Sequence, residues 1–491
     1  MLSEFPKQQI TLGFDFFKMR KKKAEHIILP EIEIIDAGAE GKAVGRRDNK
    51  VIFVDNAVPG DVADIQVFKK KKSFLEGKAI HFHKLSEKRS DPFCKHFGLC
   101  GGCKWQHLQY KYQLFYKQKQ VADNFQRIAH LATPEILPII PSEKQTLYRN
   151  KLEYTFSDYR WLTFEDMNSQ ARDTMDMNAI GFHIPKHFDR VLDIEHCYLQ
   201  SEPTNHIRNS LKSFCIGRGF TFYNPRRHEG FLRNLIIRNT TLNETMAIMV
   251  FGEEQPENQK LVLDHILEIY PRITSLMFVV NSKHNDTISD LEVKCYFGKP
   301  FITEQMDELL FRIGPVSFFQ TNSLQAYKLY SLVKEFAGIS SADIVYDLYS
   351  GTGSISNFVA HQAKKVIGIE FIAPAIEDAL VNSKINNIHN TEFVAGDIAK
   401  ILNVDFFVFK GHPDIIITDP PRNGMHPAVV EQIIQAHPKR IVYVSCNPAT
   451  QARDLALMAE KYSISKIQPI DMFPHTHHVE NIVLLEKAIV V

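Results

Sequence analysis

The spacing of apolar and polar positions changes character twice along this chain. Between Ile27 and about His83, short runs of β-forming residues alternate with turn-formers. The runs are Glu31-Ile-Glu-Ile-Ile35, Val51-Ile-Phe-Val54 and Asp61 to Phe68, separated by Gly38, Gly41, Gly45, Asp48-Asn49 and Pro59-Gly60. About five strands in so short a stretch suit a small closed barrel, of which the oligonucleotide-binding barrel is a common kind. Lys69 to Lys72 fall where two of these runs turn back, which predicts a hairpin tip able to touch phosphates. A helical spacing follows over 108–130. From 145 to about 300 strand signals recur in a mixed α/β texture, at Leu152–Phe156, Glu195–Leu199 and Thr245–Phe251.

From about residue 301, strand and helix alternate regularly. Strands are predicted at Ile344–Leu348, Lys365–Ile369, Glu392–Val394, Asp414–Thr418, Arg440–Ser445, Ile464–Pro469 and Asn481–Leu485. Helical segments between most of them indicate a doubly wound, mostly parallel sheet. The last two strands have no helix between them and are expected to pair antiparallel at one edge. The reading is therefore α/β: a Rossmann-like domain over 301–491, a mixed α/β central domain over 87–300, a small β-barrel over 26–86 and a basic extension over 1–25.

Composition narrows the function classes. A chain of 491 residues with 44% hydrophobic and 23% charged residues is ordinary globular material, too long for one core. No run of about 18 apolar residues occurs, and the basic run Lys18 to Lys23 has no apolar stretch behind it, so a cytoplasmic protein without a membrane span is expected. The net charge of +1 leaves any nucleic-acid contact to local patches such as Lys69 to Lys72. Arg149 and Lys151, near the start of the central domain, are further candidates. Seven cysteines, an odd number spread over a long chain, argue against a disulfide framework.

The candidate chemistry collects at predicted strand ends. Asp347-Leu-Tyr349-Ser-Gly351-Thr-Gly353-Ser354 lets a ligand approach backbone. Glu370 ends the next strand, placed for ribose hydroxyls, and Asp397 follows the third, placed for an adenine amine. A third glycine at pyrophosphate spacing is missing, so S-adenosylmethionine (SAM) fits better than a dinucleotide. Asp419-Pro420-Pro421-Arg422 forms a rigid loop at the fourth strand end. Cys446 ends the fifth, where a helix N-terminus is expected to favour its thiolate. His475, His477, His478 and Glu480 lie in one segment; a metal site there is less well supported than one carboxylate acting as a base. Cys94, Cys100 and Cys103, with Cys197 as a remote fourth, could hold zinc or an iron–sulfur cluster. Cys215 and Cys295 are expected in cores.

Five motifs in order then carry a resemblance: Phe318-Phe-Gln320-Thr-Asn322, Asp347 to Gly353, Asp419 to Arg422, Ser445-Cys446-Asn-Pro-Ala-Thr450, and Phe473-Pro-His-Thr-His-His478-Val-Glu480. The chain resembles the RNA 5-methyluridine (uracil-C5) methyltransferases, and its barrel resembles their TRAM domain. The resemblance implies that Cys446 is a nucleophile adding to uracil C6, and that Glu480 is the base taking the C5 proton. It implies SAM contacts from Gln320, Tyr349, Ser354, Glu370, Asp397 and Asp419, and a [4Fe-4S] cluster on Cys94, Cys100, Cys103 and Cys197. The implied substrate is structured RNA, with 23S rRNA favoured over tRNA, and a monomeric enzyme is expected. Two other readings remain: methylation of an exocyclic amine, which needs neither Cys446 nor Glu480, and a non-catalytic RNA-binding iron–sulfur protein.

Overall fold

A computed structural model of the chain describes residues 27–129 and 134–488. The basic extension expected over 1–25 lies outside the described residues. Five strands, β1 (Ile27–Ala37), β2 (Ala43–Arg47), β3 (Lys50–Asp55), β4 (Val62–Lys70) and β5 (Phe74–Lys84), close a barrel in the order β1-β2-β3-β5-β4. Alternation fills it: Ile32, Ile34, Ile52, Val54, Ala63 and Ile65 point inward and are almost wholly buried. β4 and β5 pair antiparallel up to Lys70–Leu75, so Lys71 and Lys72 sit at the hairpin tip.

The central sheet comprises β6 (Lys151–Ser157), β7 (Ala179–His183), β8 (Val191–Asp193), β9 (Leu232–Asn239), β10 (Thr245–Phe251), β11 (Ser275–Val280) and β12 (Lys294–Gly298). Their order is β12-β11-β10-β9-β6-β7-β8. Leu152, Tyr154 and Phe156 alternate into a core with Leu235 and Ile237. Ile236, Met246, Ile248 and Val250 line the opposite face and share a core with the C-terminal part. Two expectations fail here. Residues 195–199 form no strand, because side chains take the backbone groups a ladder would use: Arg208 bonds the Glu195 carbonyl and Asn205 the Cys197 amide. Cys295 is exposed rather than in a core, lying on the edge strand β12, while Cys215 is fully buried.

A hairpin of β13 (Ile302–Met306) and β14 (Leu309–Ile313) leads into the last sheet. This consists of β15 (Ile344–Leu348), β16 (Lys365–Glu370), β17 (Thr391–Ala395), β18 (Ile415–Thr418), β19 (Arg440–Ser445), β20 (Tyr462–Ile470) and β21 (Glu480–Lys487). The order is β17-β16-β15-β18-β19-β21-β20. β15 to β19 are parallel, and β21 runs antiparallel between β19 and β20. The chain reverses its winding direction at β15 and β18, so a crevice opens beyond their carboxyl ends, the place where such sheets bind ligands. Among the described residues no helix is long and apolar enough to cross a membrane.

Candidate active site

Five loops meet at that crevice. β15 ends in a turn through Tyr349, whose φ of 64° is held by its amide bonding the Ile369 carbonyl at 2.9 Å. Gly351 follows at φ 54°, and a Cβ there would meet nothing within 4 Å, so the backbone faces open space. Gly353 differs: a Cβ would strike Ala379 and Phe393 at 2.8 and 2.9 Å, so this glycine serves packing. Glu370 at the end of β16 accepts the Gly351 amide at 3.0 Å and the Ile372 amide at 2.9 Å. Asp397 caps a short helix through the Ala399 amide. Ser354 is buried, with its hydroxyl 3.3 Å from Thr352 Oγ1, and Gln320 is buried with its carbonyl bonded by Asn150.

Backbone register sets the next pair. β19 and β21 pair as far as Ser445 opposite Asn481, and Cys446 and Glu480 are the next residues beyond that pair, near enough for the Glu480 charge to act on the thiol. Gln451 locks this end, donating to the Tyr443 and Asn481 carbonyls at 2.9 and 3.2 Å while Asn481 donates back at 2.7 Å. Asn447 caps the helix Pro448–Met458 through the Ala449 amide, and with Thr450 it holds the Arg422 carbonyl at 3.0 and 3.2 Å. Asp454 accepts the Met425 amide and the Tyr443 hydroxyl, fixing the far end of the Asp419–Arg422 loop.

The electrostatics of this corner are unusual. Burial, with the Asp419 charge second, pushes the Glu480 carboxyl up to about 8. Burial pushes Asp419 up to about 7, with Asp347 beside it, and Asp347 likewise to about 7. The Cys446 thiol is raised to about 11 by burial and by the Glu480 and Asp419 carboxylates, while the Arg422 guanidinium works in the opposite direction. Desolvation and two acidic neighbours thus act against the expected preference for thiolate, and the first amide of the helix N-terminus is already taken by Asn447.

A strap from Asp471 to Val479 delivers Glu480. Lys117 and Asp471, both fully buried, bond at 2.6 Å, and Tyr110 donates to the same carboxylate at 2.9 Å. Gln113 accepts the His475 amide, and the Lys104 and Trp105 amides bond the His475 carbonyl at 2.7 and 3.0 Å. The Arg149 guanidinium lies 5.4 Å over the Phe473 ring. Sequence reasoning passed over Lys117, Asp471, Gln113 and Gln451. A lysine and a glutamine four apart in a helix read as solvated surface when their partners lie more than 350 positions away.

Cys94, Cys100, Cys103 and Cys197 line one cavity of about 390 Å³, together with Arg149, Lys151 and Thr321. All four thiols are free, and burial raises each, Cys100 to about 12 and Cys103 to about 11. Among the described residues no group of three or more His, Cys, Asp or Glu side chains is arranged to hold a metal ion, His475, His477 and His478 included.

The chain is similar to known proteins. Residues 291–488 match the family described as tRNA (Uracil-5-)-methyltransferase, and residues 31–80 match the TRAM domain. An uncharacterized RNA methyltransferase of Bacteroides thetaiotaomicron is 53% identical over 91% of this chain and 99% of its own length. One from Chlorobaculum tepidum is 35% identical over 96% of this chain and 98% of its own. The crystal structure of Pyrococcus abyssi tRNA (uracil-54, C5)-methyltransferase in complex with S-adenosyl-L-homocysteine superposes with a TM-score of 0.72 and 29% identity, covering 93% of this chain and 99% of that one. The chain belongs to the RNA methyltransferases that join a TRAM domain to a domain of the tRNA (uracil-5-)-methyltransferase family.

Proposed function

We propose that the protein transfers a methyl group from SAM to C5 of one uridine in a structured RNA, through a covalent bond between Cys446 and C6 of the base. The observation that supports this reading is that Cys446 and Glu480 flank the last β19–β21 pair, with the Glu480 and Asp419 charges acting on the thiol. SAM supplies an electrophilic methyl group. Uracil C5 is too weak a nucleophile to take it unaided. Half-buried Cys446 loses its proton to water, with Arg422 as the cation at hand, and its thiolate adds to C6. The C5–C6 electron pair moves to an enolate, and C5 then takes the methyl group as its bond to sulfur breaks and S-adenosylhomocysteine leaves. Glu480 takes the C5 proton, the double bond re-forms, and the cysteine leaves. Glu480 must be ionised for that step, which its raised pKa of about 8 makes pH-sensitive near neutrality.

The open backbone at Gly351 supports the donor site. Glu370 is assigned the ribose hydroxyls, Asp397 the adenine amine, and Gln320, Tyr349, Ser354 and Asp419 the rest of the molecule. Phe371 and Ile372, 72% and 57% exposed beside Glu370, offer an apolar flank to the adenine face. For the cysteine cavity we propose a [4Fe-4S] cluster on Cys94, Cys100, Cys103 and Cys197. Four thiols around one cavity are the donor set such a cluster takes, whereas a single zinc ion needs its sulfurs within about 2.3 Å of one point. The cluster would hold the 94–103 loop to the 195–199 segment beside Arg149 and Lys151, which stand as candidate RNA contacts.

Labelled SAM and RNA from a strain lacking the gene test the reading. The expected product is 5-methyluridine, and its absence with both rRNA and tRNA would sink the proposal. Mapping the modified position separates 23S rRNA, the proposed target, from tRNA, which the Pyrococcus abyssi neighbour's name favours.

A further inference from the structure

A second cavity, of about 530 Å³, opens on the central sheet away from the catalytic centre. Along β6, Leu152, Tyr154 and Phe156 enter the core, so Lys151, Glu153 and Thr155 face the other way. Lys151 and Glu153 line the cysteine cavity, and Thr155, with Ser157 beyond it, lines the second. One strand thus runs roughly 20 Å from beside Arg149 and the catalytic strap to this cavity.

The cavity is built around Arg233. In β9, Val250 pairs with Asn234 and Phe251 with Leu232, which leaves Arg233 as the extra residue of a bulge, and bulges re-aim side chains. Arg233 is 1% exposed. It donates to the Asn281, Lys283 and Asn285 carbonyls and to Asp286, and it lies 4.4 Å over the Tyr223 ring. Its buried Nε has no partner. At the mouth, the exposed rings of His228 and His284 stack 3.9 Å apart within 8° of parallel, and Phe188 is 66% exposed. His228 holds a φ of 58°, a costly conformation for a residue with a Cβ.

The charges select the ligand. Arg226 is paired with Asp189 and Arg233 with Asp286, so little free positive charge is left for a phosphate. What remains is flat aromatic surface with hydroxyl and guanidinium donors behind it. Such a surface takes a nucleobase, stacked and touched on its edge. Given an RNA substrate, as in the function proposed above, we infer that this cavity receives an unpaired nucleotide of the same RNA, remote from the uridine being methylated, and holds it by stacking on His284 and Phe188.

The test uses the full chain and measures steady-state methyl transfer from labelled SAM to RNA from the deletion strain, with RNA affinity measured in parallel by fluorescence anisotropy. The double variant F188A/H284A is compared with F164A, an exposed phenylalanine outside the cavity. The double variant should raise KM for RNA, and the dissociation constant, about tenfold. Its kcat and KM for SAM should stay within about twofold of the parent, as should everything for F164A. RNA KM and affinity unchanged in the double variant would overturn the inference, as would an equal loss in F164A. If the double variant melts early, H284A alone, in an exposed loop, gives the same reading with a smaller shift. Failure of the parent to make 5-methyluridine would strike at the proposed function, while the anisotropy comparison would still report on the cavity.

Discussion

Five of the cysteines fall into two groups that burial treats alike and their neighbours treat differently. Cys94, Cys100, Cys103 and Cys197 surround one cavity, and the charges that act on Cys100, Cys103 and Cys197 include those of other members. Cys446 stands alone at a strand end, among Glu480, Asp419 and Arg422. Desolvation holds all five toward the neutral thiol. A buried sulfur therefore says little about its task. The task depends on what can accept the proton and balance the charge: the proposed cluster for the first group, water and the Arg422 guanidinium for the second.

Removing sulfur from each group should separate them most sharply. Cys446→Ala is expected to cut methyl transfer by roughly 10⁴-fold or more while SAM binding persists, read by single-turnover transfer and calorimetric titration. Activity within tenfold of the parent would end the covalent mechanism. Glu480→Gln should lower turnover by about 10²–10⁴-fold and leave a protein–RNA adduct that survives denaturation, since addition and methylation proceed while proton removal stalls. A gel without that band would remove Glu480 from its role. Cys197→Ser, by contrast, should abolish bound iron and acid-labile sulfide yet change kcat at saturating RNA by less than about tenfold, under ~1.4 kcal/mol of barrier.

The smaller effects probe what holds the second group's partners in place. Lys117→Met leaves the Asp471 carboxylate buried without its cation, which costs about 3–5 kcal/mol. The melting temperature and kcat should fall together, and adding Asp471→Leu should restore much of the stability. The pH dependence is gentler. Glu480 is raised to about 8, so breakdown of the methylated adduct should quicken with pH up to that value, and Glu480→Gln should remove that limb, while kcat/KM keeps rising towards the Cys446 thiol at about 11. Stability should move the other way. A carboxyl raised on folding binds its proton more tightly in the folded state, so its contribution is complete below the ordinary carboxylate range and is lost as pH rises towards about 8.

Much of this architecture was legible in the sequence because periodicity is local. Strand ends carrying Tyr349, Glu370, Asp397, Asp419 and Cys446 could be placed from apolar runs alone, since each run is bounded by its own turn residues. The Cys446–Glu480 adjacency was not, because antiparallel register depends on which residues pair across 34 positions of chain. Only the family resemblance pointed to it. The buried Lys117–Asp471 pair and the Gln451–Asn481 tie were invisible for the same reason. The exposed Cys295 misled because an apolar run does not say whether its strand lies inside a sheet or at its edge. For the Cys446 thiol, a helix terminus is visible in sequence, whereas the burial and the two carboxylates that raise it are not.

Trp105 meets three parts of the protein at once. Its indole donates to the Gly41 carbonyl of the barrel at 3.1 Å, its amide bonds His475 in the strap, and it lies two residues after Cys103. Its ring also packs with Val58 of the barrel and Tyr116 of the adjoining helix. The barrel cannot come away from the rest without breaking contacts that also steady the strap before Glu480. On slow heating, then, the RNA-gripping end and the reacting end should melt as one cooperative block, with a single calorimetric peak where three modules strung on linkers would give several.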